Sequence, residues 1–112
     1  SHAPPSPEEA LAAGHAASGA GRHADAAQWY SLAIQGAGAD ALALRLEALR
    51  ARITARVSIR EAEAALADAM EVMTLEPQSR LSHEGLGLAL YASGDYLRAG
   101  ASYREALQKS PG

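Results

Sequence analysis

The end of this chain repeats its beginning at fixed spacing, and a sequence of that kind folds most simply as stacked copies of one small unit. Leu86-Gly87, Gly94-Asp95-Tyr96, Ala99, Tyr103, Ala106 and Pro111 each have a counterpart 73 residues earlier. Those counterparts are Ala13-Gly14, Gly21-Arg22-His23, Ala26, Tyr30, Ala33 and Gly38. A fainter copy stands between them: Ala62, Ala65, Ala69, Val72 and Pro77 lie 34 residues ahead of Tyr96, Ala99, Tyr103, Ala106 and Pro111.

Local signals predict six helices. Ser6 followed by Pro7, Glu8 and Glu9 carries a hydroxyl cap, a proline at the first helical position and a glutamate that completes a capping box. The first helix then runs from about Pro7 to Ser18, ending at Gly19-Ala20-Gly21. A second, from about His23 to Gln35, places Ala26, Trp29, Tyr30, Ala33 and Ile34 at helical spacing and stops at Gly36-Ala37-Gly38. Asp40 is a candidate cap for a third, from about Ala41 to Arg56, whose two apolar faces imply burial on two sides. Ser58-Ile59-Arg60-Glu61 reads as a second capping box, opening a fourth helix that reaches about Leu75 before Pro77. Ser79 is expected to cap a fifth, about Arg80 to Ser93, and Gly94-Asp95 separates it from a sixth, about Tyr96 to Lys109. No segment alternates with a period of two, so no strand is expected.

Composition agrees with thin, closely stacked helices. Of 112 residues, 28 are alanine, none is phenylalanine, and the aromatics are Trp29, Tyr30, Tyr91, Tyr96 and Tyr103. Alanine is the best helix former and permits close backbone approach. The length suits one domain. Residues 1–6 read as a flexible lead and Ser110-Pro111-Gly112 as a turn, so the chain is read as an excised piece. Ten Lys and Arg against thirteen Asp and Glu argue against nucleic acid as a partner. No apolar run approaches the roughly 18 residues that span a bilayer, so no membrane role is expected. A chain without cysteine fits a reducing compartment, and an intracellular, cytoplasmic location is expected.

The repeated pattern resembles the tetratricopeptide repeat, whose period is about 34 residues. The resemblance covers about residues 7–112, with repeats at about 7–40, 41–79 and 80–112. It implies an all-α fold, an α-α superhelix of three antiparallel helix pairs. Gly14 and Gly87 are then expected where the two helices of a repeat cross, with Ala26, Ala65 and Ala99 at the close approach and Tyr30 and Tyr103 filling the space beyond. The middle repeat is degenerate and long: Gly38 to Pro77 is 39 residues, five more than the period. The extra residues belong to the Gly36 to Asp40 turn, to a longer third helix, or to both. An ordinary helical bundle is the alternative, since Ala-rich amphipathic helices need no repeat to fold.

The resemblance also implies a function, a protein-protein interaction module whose first helices line a concave groove for a peptide or helix of a partner. The candidate lining is Glu8, Leu11 and His15, then Arg45, Leu49 and Arg52, then Glu84, Leu88 and Tyr91. Arg45, Arg52 and Arg56 lie seven and four residues apart, one stripe of a helix, and Arg60 follows in the turn. Guanidinium groups suit carboxylate or phosphate, so an acidic peptide is one reading; a solvated stripe paired with Glu47 is the other. Glu61, Glu63, Asp68 and Glu71 read as a solvated acidic face. The clamp of Lys, Asn and Arg with which members of this family hold heat-shock chaperone tails has no counterpart, because the matching positions are Leu11 and His15, then Leu46 or a near neighbour, then Leu81 and Gly85.

Chemistry has little support. No two of His2, His15, His23 and His83 are spaced to lie on one helical turn with a carboxylate, so neither a metal nor a cofactor is expected. No nucleophile-base pairing or phosphate-cradling glycine loop stands out, and no enzyme is expected. Two alternatives to groove binding are self-association and a regulatory arm of a larger enzyme. Arrays of this kind usually close with a helix of polar outer face. None follows Lys109, so Leu97, Ala101 and Leu107 are expected to expose apolar area to the parent chain or to a second copy.

Overall fold

A computed structural model describes residues 3–109. Six helices follow one another: α1 (Pro7–Gly19), α2 (His23–Gly36), α3 (Leu42–Ser58), α4 (Ala62–Leu75), α5 (Arg80–Ala92) and α6 (Tyr96–Gln108). No strand occurs among the described residues. Ser1 and His2 of the lead and the turn Ser110-Pro111-Gly112 lie outside them.

Three helix starts form as their residues dictate. At α1 the Ser6 hydroxyl accepts from the Glu9 amide at 3.1 Å, while the Glu9 carboxylate accepts from the Ser6 amide at 2.8 Å. Ser79 accepts from the Leu81 amide at 3.1 Å and Asp95 from the Arg98 amide at 3.2 Å. The Arg98 side chain, then its amide, hold the Asp95 carboxyl below the usual carboxylate range.

Two expected caps do not form. Ala41, not Asp40, is the N-cap of α3, and it offers no side-chain bond. Ser58 ends α3 instead of opening α4, its hydroxyl donating to the Thr54 carbonyl at 3.0 Å. A serine can satisfy itself on the carbonyl four residues back inside a helix, and here that local bond prevails over capping. α4 therefore starts at Ala62, with Glu61 as an N-cap that makes no side-chain bond.

The turn inside each pair is the same three times. Arg22 donates its amide to the Ala17 carbonyl at 2.9 Å, Glu61 to Arg56 at 2.8 Å and Asp95 to Leu90 at 2.9 Å. The residue before each of these donors is left-handed: Gly21 at φ 78°, Arg60 at 66° and Gly94 at 88°. This is the helix-ending motif that favours glycine, and the middle repeat makes it with an arginine.

Anchoring the repeats on these turns resolves the lengthened one. α3 has 17 residues against 13 in α1 and α5, and Leu46–Ser58 matches Pro7–Gly19 and Arg80–Ala92. Most of the insertion is thus one extra turn at the start of α3. In this register Ile53 stands where Gly14 and Gly87 stand, and Ala69 where Tyr30 and Tyr103 stand. A Cβ on Gly14 would lie 2.5 Å from the Tyr30 ring and one on Gly87 2.9 Å from the Tyr103 ring, both closer than side chains tolerate. The outer repeats therefore lay a ring over a missing side chain. In the middle repeat the large residue, Ile53, is on the first helix and the small one, Ala69, on the second; both are buried in one cluster with Leu46, Leu49 and Val72.

Consecutive helices pack as antiparallel neighbours, and α1 also touches α3, and α3 touches α5. α2, α4 and α6 do not contact one another at this range. The result is an elongated body of 51 × 29 × 21 Å with α1, α3 and α5 in one continuous layer.

Two outcomes are expected in thermal or chemical denaturation. Gly14→Ala should destabilise by about 1–3 kcal/mol, because the Tyr30 ring has to shift. Arg60→Gly should stabilise by up to about 1 kcal/mol, by relieving a left-handed side chain in an exposed turn.

Candidate protein-binding face

The layer α1, α3, α5 brings together some of the predicted groove residues and turns others away. At 100° per residue, Arg52 and Thr54 lie about 200° apart around α3. The side that α3 shows to α5 carries Arg50, Ile53 and Thr54. With Leu81, Glu84, Gly85 and Leu88 they line an open cleft of about 240 Å³. Of the sequence candidates, Glu84 and Leu88 line this cleft, together with Arg50, Thr54, Leu81 and Gly85. Leu49 is not a groove residue: it is fully buried in the core. Counted back from the left-handed turn residues Gly21, Arg60 and Gly94, Arg50 and Thr54 of α3 are the positions that match Leu11 and His15 of α1 and Glu84 and Leu88 of α5.

α1 joins this layer through His15. Its Nε2 lies 2.8 Å from the Glu47 carboxylate and its Nδ1 lies 2.9 Å from the Tyr30 hydroxyl. The His15 and Tyr30 rings meet edge to face at 5.4 Å. Burial raises the Tyr30 phenol above its ordinary range, offset by a hydrogen bond from Ser18 and reinforced by the Glu47 charge. The two ring nitrogens of His15 each have one oxygen partner, the phenol on one side and the carboxylate on the other. The chain Tyr30, His15, Glu47 thus ties α2, α1 and α3 together at the edge of the face. Leu11 is half-buried beneath it, packed against both core clusters. Tyr91 stands apart, exposed at the end of α5 with its ring 4.9 Å from that of Tyr96.

The arginine stripe is held against α4. Arg45 donates to Glu71 from Nε at 3.1 Å and from Nη2 at 2.6 Å. Arg52 grips both oxygens of Asp68, at 2.8 and 2.6 Å, and donates its remaining arm to the Ser31 hydroxyl of α2 at 2.9 Å. Arg56 donates to the same Asp68 at 2.9 Å and to the Ala64 carbonyl at 3.4 Å. Arg50, on the groove side, donates to Glu76. The stripe is neither a free anion site nor a solvated row paired with Glu47, whose partner is His15. Arg52 and Arg56 form a clamp that fastens α2, α3 and α4 around Asp68, and Arg45 adds a separate pair with Glu71.

The expectation of a solvated acidic face fails at Asp68, which is buried, and at Glu71, which is partly buried. A signal for this existed. Asp68 falls on the same helical stripe as Ala65, Ala69 and Val72, the buried side of α4. A carboxylate on that stripe requires a cation, and α3 carries two opposite it.

Among the described residues no group of three His, Cys, Asp or Glu is placed to hold a metal ion. His2 lies outside them. No helix among them is long and apolar enough to cross a membrane. The chain matches no family model, and no characterised protein or solved structure is similar to it at a significant level. The fold stands on its own geometry, a six-helix all-α domain of sequentially packed helix pairs.

Removing the carboxylate at the centre of the clamp tests its structural role. Asp68→Asn should cost about 3 kcal/mol in urea denaturation, because two largely buried guanidinium groups lose their counter-charge. Arg45→Ala, breaking a half-exposed pair, should cost no more than about 1 kcal/mol. Equal costs for the two would rule out the clamp.

Proposed function

We propose that the six helices form a short α-α solenoid of the tetratricopeptide kind and that this solenoid is a protein-binding module. Its ligand is a segment of another protein lying across α1, α3 and α5. The observation that carries this reading is the cleft between α3 and α5, with an apolar floor of Ile53, Leu81 and Leu88 and a rim of Arg50, Thr54 and Glu84. Support for the solenoid comes from three identical turns, from the crossing rings of Tyr30 and Tyr103, and from one continuous layer of first helices.

The cleft suits one apolar side chain of an extended or helical segment. Gly85 answers Ile53 from across the cleft: a Cβ there would lie 3.2 Å from Ile53 Cδ1, tighter than most side-chain contacts. The charges on the rim are already paired, Arg50 with Glu76 and Glu84 with Arg80, so the apolar floor carries most of the selection. An acidic ligand has less support, because Arg45, Arg52 and Arg56 are turned to α4 and the rim is balanced in charge. Heat-shock chaperone tails, which end in carboxylates, fit it no better.

The test is a peptide selected from a displayed library on the wild-type domain, with affinities then measured by calorimetry. Leu81 is exposed, so Leu81→Asp should leave the helical signal and melting temperature unchanged. It should weaken binding at least tenfold, about 1.4 kcal/mol. Unchanged affinity in both Leu81→Asp and Leu88→Asp would sink the proposal.

A further inference from the structure

Residues that occupy equivalent positions in the first and last helix pairs differ sharply in exposure. Tyr30 is 2% exposed and Ile34 9%, whereas their counterparts Tyr103 and Leu107 are 37% and 66% exposed. In the first pair α3 lies against α2 and covers these positions. Among the described residues no helix follows α6. The uncovered side of α6 carries Tyr96, Gly100, Tyr103 and Leu107 at intervals of four, three and four, a single helical stripe. Tyr91 extends it through its contact with the Tyr96 ring. Leu97 lies about a quarter-turn away, and Ala101 lines a separate crevice with Leu66, Met70 and Leu90, so neither belongs to this face.

We infer that this face binds a second copy of the chain about a two-fold axis, with α6 packed antiparallel on α6. The stripe is complementary to itself in that arrangement and in no parallel one. A two-fold axis midway along the stripe sets Tyr96 on Leu107 of the second copy and Gly100 on Tyr103 of the second copy, each contact occurring twice. Gly100 provides the recess: a Cβ there would meet nothing but the end of the Arg104 side chain, at 3.7 Å. A tyrosine over a glycine is already the packing inside the first and last repeats, so the interface would extend a contact the chain makes within itself. Head-to-tail stacking would instead present the outer side of α1, where Glu8, Glu9, Ala12 and Ala16 are exposed and no large apolar group answers the tyrosines.

Area sets the strength. At about 200 Å² for a large side chain, Tyr91, Tyr96, Tyr103 and Leu107, exposed by 60%, 64%, 37% and 66%, offer roughly 450 Å² per copy. Two copies then approach the lower end of specific interfaces, about 1,000 Å² in total. The dimer is therefore weak and dependent on concentration.

Sedimentation equilibrium between about 1 and 500 µM should show wild type passing from monomer to dimer and no further. Gly100→Gln fills the recess without touching the monomer core and removes a glycine from mid-helix. That variant should stay monomeric with an unchanged or higher melting temperature. Because the chain has no cysteine, the double variant Tyr96→Cys/Leu107→Cys should oxidise to a covalent dimer linked between positions 96 and 107. Wild type that remains monomeric throughout, a Gly100→Gln protein that dimerises undiminished, or growth beyond the dimer would each overturn the assignment.

Discussion

Two helices of a pair can approach closely only if one of them gives up volume where they cross, and the rest of this structure is arranged around that requirement. In the first and last repeats the first helix yields, with a glycine under a tyrosine ring. In the middle repeat the second helix yields, with Ala69 across from the position of Ile53. Cores of this kind tolerate exchange of large and small partners provided the total volume is kept. Alanine elsewhere in the core keeps the helices near enough for these few large groups to fill the space.

That exchange also explains what could be read from the sequence and what could not. Helix number, order and most boundaries were legible, because Ser6, Ser79 and the glycine-containing turns act locally. The register of α3 was not, because its extra turn hides at the start of a helix whose apolar residues already lie on two faces. The middle turn was obscured for a related reason: Arg60 takes a backbone conformation usually signalled by glycine. The Ser58 to Glu61 box is a sound local pattern that lost to a bond from Ser58 back into its own helix. In the cleft between α3 and α5, the α5 residues Glu84 and Leu88 follow from the repeat spacing, whereas the α3 residues Arg50 and Thr54 depend on the register.

The arginines show how one composition can carry two opposite meanings. Three guanidinium groups on one helical stripe suggest a site for anions as long as their neighbours are unknown. Asp68 and Glu71 provide the anions from the same chain. Asp68 is held by two cations because a carboxylate removed from water needs more than one partner to fill its lone pairs. The cleft left between α3 and α5 is then mixed in charge at its rim and apolar at its floor.

The contacts among first helices, set against the lack of contact among second helices, have a mechanical consequence. α1, α3 and α5 form an unbroken strip, while α2, α4 and α6 are joined only through it. A load that bends the long axis then works on the side chains that bridge the second helices, such as Arg52 between Ser31 of α2 and Asp68 of α4, with no close backbone packing between those helices to resist it. The strip behaves as a flexure and the spaces as its range of travel. A widening between α3 and α5 would thus register on the far side of the molecule as a change in the spacing of α4 and α6, where Met70 and Ala101 line one crevice.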